Sequence, residues 1–305
     1  MLERTEIVRT EGLTKRYGSL TAVADMSLVV YANEVFSFLG PNGSGKSTTV
    51  GIILGLVRPT RGRATVFGHN MTADPWPTLK RIGAVIESPA FYPYLSGYDN
   101  LKALAITLGD IPKARIEQML ELVGLSSRGR DAYKTYSLGM KQRLGIASTL
   151  LRDPDLVILD EPTNGLDPAG TREVRELIPR LADEGHAVFL CSHLLHEVEA
   201  VSDRLAIVKR GQLIAEGTVQ ELLGRGQYLR VRSADNEALA RALGGVDFVH
   251  GVEQVDGYLR AEAPVDRAAE LNQVLAGKGI YVSELSPWQV ELENVFLELT
   301  GEESG

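Results

Sequence analysis

The sequence predicts an α/β protein. A domain built on a parallel sheet with a phosphate loop is interrupted by a helical subdomain and followed by a small α+β domain of ferredoxin-like order. Three stretches carry the prediction. Val35-Phe36-Ser37-Phe38-Leu39 runs straight into GPNGSGKST, Gly40 to Thr48, where a buried strand has to turn into a helix. DLVILDE, Asp155 to Glu161, sets four consecutive apolar residues before two carboxylates, the pattern of a parallel strand buried on both faces. Beyond Gly224-Arg225-Gly226 the pattern alternates as strand, helix, two strands, helix and strand.

A chain of 305 residues suggests two domains, here 1–224, with a helical subdomain over about 88–152, and 225–305. The formal net charge of −8 argues against a nucleic-acid backbone as the main partner, since such binding draws on excess Lys and Arg. A single cysteine, Cys191, excludes an internal disulfide and a zinc cluster and fits a reducing cytoplasm. The opening MLERTEIVRT is too charged for a secretory signal, and no run reaches about 18 apolar residues. The expectation is a chain that does not enter a membrane by itself.

Taken in order, Ile7-Val8 and Leu28-Val29-Val30 read as short strands, with Lys15-Arg16-Tyr17-Gly18 as a turn between them. A helix is expected over Thr48 to Leu56, a strand over Gly62 to Gly68 and another over Arg81 to Glu87. Phe91, Tyr92, Pro93 and Tyr94 form a dense cluster, read either as loop packing or as a partner docking site. Helices follow with Leu101, Leu104, Ala105 and Leu108 on one face, then Ile116, Met119, Leu120 and Val123, each meeting a glycine suited to a C-terminal cap. Ser137 is a candidate N-cap for a helix through Leu151. Pro168 opens the next helix, with Val174, Leu177, Ile178 and Leu181 inward. His186 to Cys191 is a buried strand, and Arg204 to Thr218 a hairpin. In the second domain, strands are expected at Tyr228 to Arg232, Val249 to Val255, Tyr258 to Ala263 and Ile280 to Leu285, and helices at Asn236 to Leu243, Val265 to Leu275 and Leu292 to Leu299.

The phosphate loop dictates what surrounds it. Gly43 and Gly45 permit positive φ, so that the N–H groups of residues such as Asn42 and Ser44 can line an anion-sized concavity at a helix N-terminus. Lys46 brings a charge for the β- and γ-phosphates, and Ser47 a hydroxyl for Mg²⁺. The two carboxylates suggest a division of labour in which Asp160 holds the Mg²⁺ shell and Glu161 acts as general base on a water. Tyr17 offers a ring either to a nucleotide base or to sheet-edge packing. His193 follows a parallel strand at the edge where open α/β sheets bind ligands, which makes it a site candidate.

With these pieces in place, the chain resembles the ATP-binding subunits of ATP-binding cassette (ABC) transporters over residues from about 4 to 222. The resemblance rests on Tyr17, the phosphate loop Gly40 to Thr48, the signature stretch Ser137-Leu138-Gly139-Met140-Lys141-Gln142, Asp160-Glu161, the turn Gly165-Leu166-Asp167 and His193. It implies an ABC-type P-loop ATPase domain that takes ATP and Mg²⁺, with Thr48 also at the nucleotide. It implies further a head-to-tail homodimer in which Ser137, Gly139 and Met140 meet the partner's ATP, with His193 at the γ-phosphate. A separately encoded transmembrane permease would be the partner, with the subunit on the cytoplasmic face of the membrane. Leu138 and Met140 depart from the commonest signature, and Glu87 stands where the family usually has Gln. A carboxylate at that position either strengthens the metal site or raises the pKa of a neighbouring acid. Ile86-Glu87-Ser88-Pro89 with Phe91-Tyr92-Pro93 resembles the bacitracin and lantibiotic exporter type. A soluble cassette ATPase acting on nucleic acid or ribosomes is the alternative; it calls for a coiled-coil insert or paired cassettes that the sequence does not contain.

Overall fold

A long hairpin precedes the phosphate loop. In the computed structural model, which describes residues 4–87, 89–109, 111–223, 228–255 and 257–288, β1 (Glu6–Tyr17) pairs antiparallel with β2 (Leu20–Tyr31) from end to end. Lys15, Arg16 and Tyr17, expected in a turn, therefore belong to the strand, and the reversal is confined to Gly18-Ser19, with Gly18 at φ 59°. The polar run misleads because this end of the strand is exposed, and an exposed strand needs no apolar alternation. β3 (Val35–Leu39) begins a second sheet and leads into α1 (Lys46–Ile53), which starts and ends earlier than the expected Thr48 to Leu56. β4 (Arg61–Val66) and β5 (His69–Asn70) complete the first sheet in the order β2-β1-β4-β5, and a short α2 (Trp76–Leu79) leads to β6 (Ile82–Val85).

Three helices separate β6 from the strand beside it: α3 (Gly97–Leu108), α4 (Lys113–Leu122) and α5 (Leu138–Thr149). Ser96 caps α3 by accepting from the Asp99 N–H at 3.0 Å. Leu101, Ile116, Met119 and Leu120 are buried, whereas Leu104 and Leu108 are only partly covered. α5 stops two residues short of the expected Leu151, because Leu150–Arg152 tighten into a 3-10 turn closed by Asp153 at φ 54°. Then come β7 (Leu156–Asp160), α6 (Pro168–Asp183), β8 (Ala187–Ser192), α7 (Leu195–Val201), β9 (Arg204–Lys209), β10 (Gln212–Thr218) and α8 (Val219–Leu222). The second sheet runs β10-β9-β3-β8-β7-β6, parallel from β9 to β6, with β10 folded back antiparallel.

The alternation along β7 shows how this sheet is sandwiched. Leu156 and Ile158 join the core with the first sheet, around Phe36, Phe38 and Phe189, whose rings lie 5.6 and 5.7 Å apart about Phe189. Val157 and Leu159 face the opposite way, into the core that the helices close. A strand buried on both faces cannot shift register without exposing one set, so its C-terminal tip is fixed.

Contacts divide the chain between Leu222 and Leu223. The second unit contains β11 (Tyr228–Ser233), α9 (Asn236–Leu243), β12 (Gly251–Val255), β13 (Tyr258–Glu262), α10 (Ala268–Gly277) and β14 (Val282–Trp288). Its antiparallel sheet has the order β12-β13-β11-β14, and Leu239, Leu243, Leu271 and Leu275 pack on Leu229, Val231 and Leu259. The helix expected over Leu292 to Leu299 lies outside the described residues. Among the described residues no helix is long and apolar enough to cross a membrane.

Candidate functional site

The tips of β3, β7 and β8 meet at one edge of the parallel sheet, with Gly40 N–H donating to the Ser192 carbonyl at 3.2 Å. From there the loop turns back on itself and enters α1 through Gly45, at φ 99°. Only glycine fits at this position on two counts: the left-handed conformation, and an added Cβ that would stand 2.3 Å from the Ala22 carbonyl oxygen. The close approach seats the loop against β2 and sets the first turn of α1 at the floor of a cleft of about 790 Å³. That volume suits a mononucleotide-sized ligand.

Polar side chains from three elements converge there. Lys46 is buried, donating to the Gly40 carbonyl at 2.6 Å and pairing with Glu161 Oε1 at 3.2 Å. Ser47 Oγ donates to Asp160 Oδ2 at 3.3 Å, while the other Asp160 oxygen is buried with no hydrogen-bond partner. Glu161 stands at φ 50°, an uncommon conformation for a non-glycine residue. Its Oε2 lies 2.8 Å from His193 Nδ1. Burial first, and the neighbouring Glu161 charge second, hold the Asp160 carboxyl above the usual carboxylate range; the Ser47 hydrogen bond and Lys46 oppose the shift, and Glu87 adds to it. A cation would relieve this crowding. Hard carboxylate and hydroxyl oxygens are the donors Mg²⁺ prefers, so the residues present fit that ion.

Tyr17, Asn42, Gly43, Ser44, Gly45, Lys46, Ser47, Thr48, Glu87, Asp160 and Glu161 all line this cleft, and His193 reaches it through Glu161. Ser137, Gly139 and Met140 do not line it. Ser137 is exposed and accepts from Met140 N–H at 3.2 Å, capping α5. Gly139 is buried, and a Cβ there would lie 3.2 Å from Gly170 Cα, so the α5 and α6 starts approach closely. Met140 packs half-buried beside the helical core. The wall also includes Leu138 and Gln142 of the signature stretch, expected to face a partner's ATP, and residues the sequence did not point to: Leu20, Thr21, Ala22, Asn164 and Arg210. Arg210 arrives on the β9–β10 turn, which is held here by tertiary hydrogen bonds, Gly211 N–H donating to the Ser44 carbonyl at 3.0 Å and Ala24 N–H to the Gly211 carbonyl at 2.8 Å.

The aromatic cluster splits. Phe91 turns inward, edge-on to Tyr133 at 5.3 Å between centroids, while Tyr92 and Tyr94 are exposed. A second cavity of about 620 Å³ opens beside it, lined by Val85, Ile86, Pro89, Phe91, Tyr92 and Leu104 among others. It carries no formal charge on any of its lining side chains.

Comparison with known proteins agrees with this geometry. The family model described as ABC transporter matches residues 23–164. The bacitracin transport ATP-binding protein BcrA of Bacillus licheniformis is 39% identical over 299 residues, covering 97% of this chain and 97% of that protein. The lantibiotic transport ATP-binding protein SrtF of Streptococcus pyogenes is 40% identical over 210 residues, 69% of this chain and 90% of that protein. Among solved structures, cbiO1 from Clostridium perfringens, described as part of the ABC transporter complex cbiONQ, superposes with a TM-score of 0.66 at 27% identity, covering 72% of this chain and 92% of that one.

Proposed function

Because this chain belongs to the ATP-binding subunits of ABC transporters, ATPases whose hydrolysis is coupled to transport, we propose that it powers the export of an antibiotic peptide or related hydrophobic compound, of the bacitracin or lantibiotic kind. The observation that carries the catalytic part is the convergence of Lys46, the Ser47–Asp160 pair and the Glu161–His193 pair at the tips of adjacent parallel strands. Near-full-length similarity to a bacitracin transport protein supports the export part.

In this reading Tyr17 stacks on the adenine, and the N–H groups from Asn42 to Thr48 take the phosphates, with Lys46 leaving Glu161 for the γ-phosphate. Ser47, Asp160 and Glu87 hold Mg²⁺, which neutralises phosphate charge when bound. Glu161 accepts a proton from the attacking water. His193 holds the Glu161 carboxylate by its Nδ1–H and keeps its other nitrogen for the γ-phosphate. Ser137 and the Gly139 N–H, at the start of α5, serve the ATP of a second copy, so that a homodimer closes over two nucleotides and reopens after hydrolysis. Residues 1–224 form the ATPase domain with its helical subdomain at about 88–152, and 225–305 an accessory domain. The uncharged cavity beside Phe91 and Tyr92 receives the separately encoded permease, which holds the subunit at the cytoplasmic face of the membrane.

The test is a pull-down of the tagged full chain from native membranes, as wild type and as Glu161→Gln, with ATP. Recovery of a multi-span hydrophobic protein is expected. Recovery of ribosomes or DNA alone would overturn the assignment of partner. Phe91→Ala combined with Tyr92→Ala should reduce recovery of the permease while ATP binding persists.

A further inference from the structure

Glu197 is a buried carboxylate with no part in the chemistry above. It sits on α7, four residues beyond His193, and is only 6% exposed. Its partner among the described residues is a hydroxyl: Thr163, also 6% exposed, donates to Glu197 Oε2. No lysine or arginine forms an ion pair with it among the described residues. A carboxyl buried in such a place depends on its hydrogen bond.

The location of the bond indicates its use. Thr163 is the second residue after Glu161, in a turn held by its own backbone bonds, Asn164 N–H to the Glu161 carbonyl at 3.2 Å and Leu166 N–H to the Thr163 carbonyl at 3.1 Å. Glu197 lies one turn into the helix that carries the chain away from His193. That segment is held by Leu194 N–H donating to Ser192 Oγ at 3.0 Å and Glu197 N–H donating to the Leu194 carbonyl at 3.2 Å. Two short segments, each leaving a parallel strand, are therefore joined twice: at the cleft by Glu161 and His193, and below it by Thr163 and Glu197. The upper bond faces the cleft, where substrate and product come and go. The lower one is buried away from it.

We infer that Thr163 and Glu197 are positioning residues, which lock the turn bearing Glu161 to the helix behind His193 so that base and histidine keep their mutual geometry through the hydrolytic cycle. Neither lines the cleft. The inference rests on the assignment of Glu161 and His193 to hydrolysis, and it adds two residues whose loss would affect turnover but not the cleft's grip on ATP.

The experiment measures ATPase kinetics and ATP affinity of the purified full chain for Thr163→Val, which keeps shape and removes the donor; Glu197→Gln, which keeps an acceptor oxygen; Glu197→Ala; and the double variant Thr163→Val with Glu197→Ala. Misplacement of reacting groups by fractions of an ångström lowers turnover steeply, so kcat should fall on the order of 10-fold for Thr163→Val with KM unchanged. Glu197→Gln should retain most of the activity, and the double variant should be no worse than the poorer single one, since both remove one bond. Equal kcat for wild type and Thr163→Val, or an additive double variant, would overturn the inference. If Glu197→Ala does not fold, Thr163→Val and Glu197→Gln still decide it. Glu161→Gln and His193→Ala are run alongside: if those retain activity, the assignment of the base fails, whereas if they are inactive and Thr163→Val is normal, only the positioning role fails.

Discussion

The sheet end, where the cleft lies, and the helix end, at the start of α5, differ in how much they require from outside the chain. At the sheet end the side chains already engage one another: Lys46 with Glu161, Glu161 with His193, Ser47 with Asp160. At the helix end, Ser137 caps its own helix through Met140 N–H, which leaves the N–H groups of Leu138 and Gly139 without an intrahelical acceptor. A site whose members engage one another, needing only a cation for the spare Asp160 oxygen, can be assembled by one chain. Unused donors at a helix start suit an anion brought from outside the chain, which in the proposed dimer is the ATP of the second copy.

The largest expected effect breaks the self-contained end. Glu161→Gln keeps the side chain's shape and its room beside His193 but removes the basic oxygen pair, so hydrolysis should fall by about 10²- to 10⁴-fold, the usual worth of a general base. ATP affinity should persist, because the phosphate-loop N–H groups are untouched. If ATP affinity collapses in step with turnover, the sheet end is a binding element only and the contrast with the helix end disappears.

A second variant tests what keeps the sheet end rigid. Arg204, at the start of β9, bonds the Val29 carbonyl at 3.1 Å, Glu34 at 2.9 Å and Glu216 at 2.5 Å. Desolvation is the leading cause that holds both carboxyls above the usual range, against the pull of Arg204. Arg204→Ala removes the guanidinium from two partly dehydrated carboxylates, leaving Glu34 only the Tyr31 N–H and the more distant Arg4, and should cost about 3 kcal/mol at neutral pH. The sign with pH follows from linkage. A carboxyl whose folded pKa is raised binds its proton more tightly when folded, so stability declines as pH rises through the folded pKa and recovers on acidification toward the unfolded one. Without the guanidinium that decline steepens, and the deficit of Arg204→Ala should shrink from about pH 8 to about pH 5. Thermal unfolding of both proteins across that range measures it; parallel curves would show that the network does not carry the frame.

The sheet end was legible in the sequence because its chemistry is local: a glycine-rich loop after an apolar run, and two acids after four apolar residues, each announce a strand tip. Even the ferredoxin-like order of the second unit followed from alternation alone. What stayed hidden depended on partners distant in sequence. Arg210 reaches the cleft because Gly211 bonds Ser44, and the Thr163–Glu197 pair joins positions that carry no pattern of their own. The long hairpin was misread where its strand end is exposed, since Lys15 and Arg16 look like a turn whenever no apolar partner disciplines them.

The smallest expected effect separates the helix end's two tasks. As an N-cap, Ser137 stabilises α5 by roughly 1 kcal/mol, and Asp at that position caps as well as Ser does. Ser137→Ala should therefore lower the unfolding temperature slightly, whereas Ser137→Asp should leave it near the wild-type value. Toward an incoming phosphate the order reverses: alanine only removes a hydroxyl, but aspartate sets a negative charge before the Leu138 and Gly139 N–H groups, where a γ-phosphate would have to sit. Ser137→Asp should thus be the more stable variant and the less active one, with ATP binding to the isolated subunit intact, because its own cleft does not contain Ser137. If instead Ser137→Asp hydrolyses ATP as well as wild type, the start of α5 meets no phosphate, and the helix end is a capped helix and nothing more.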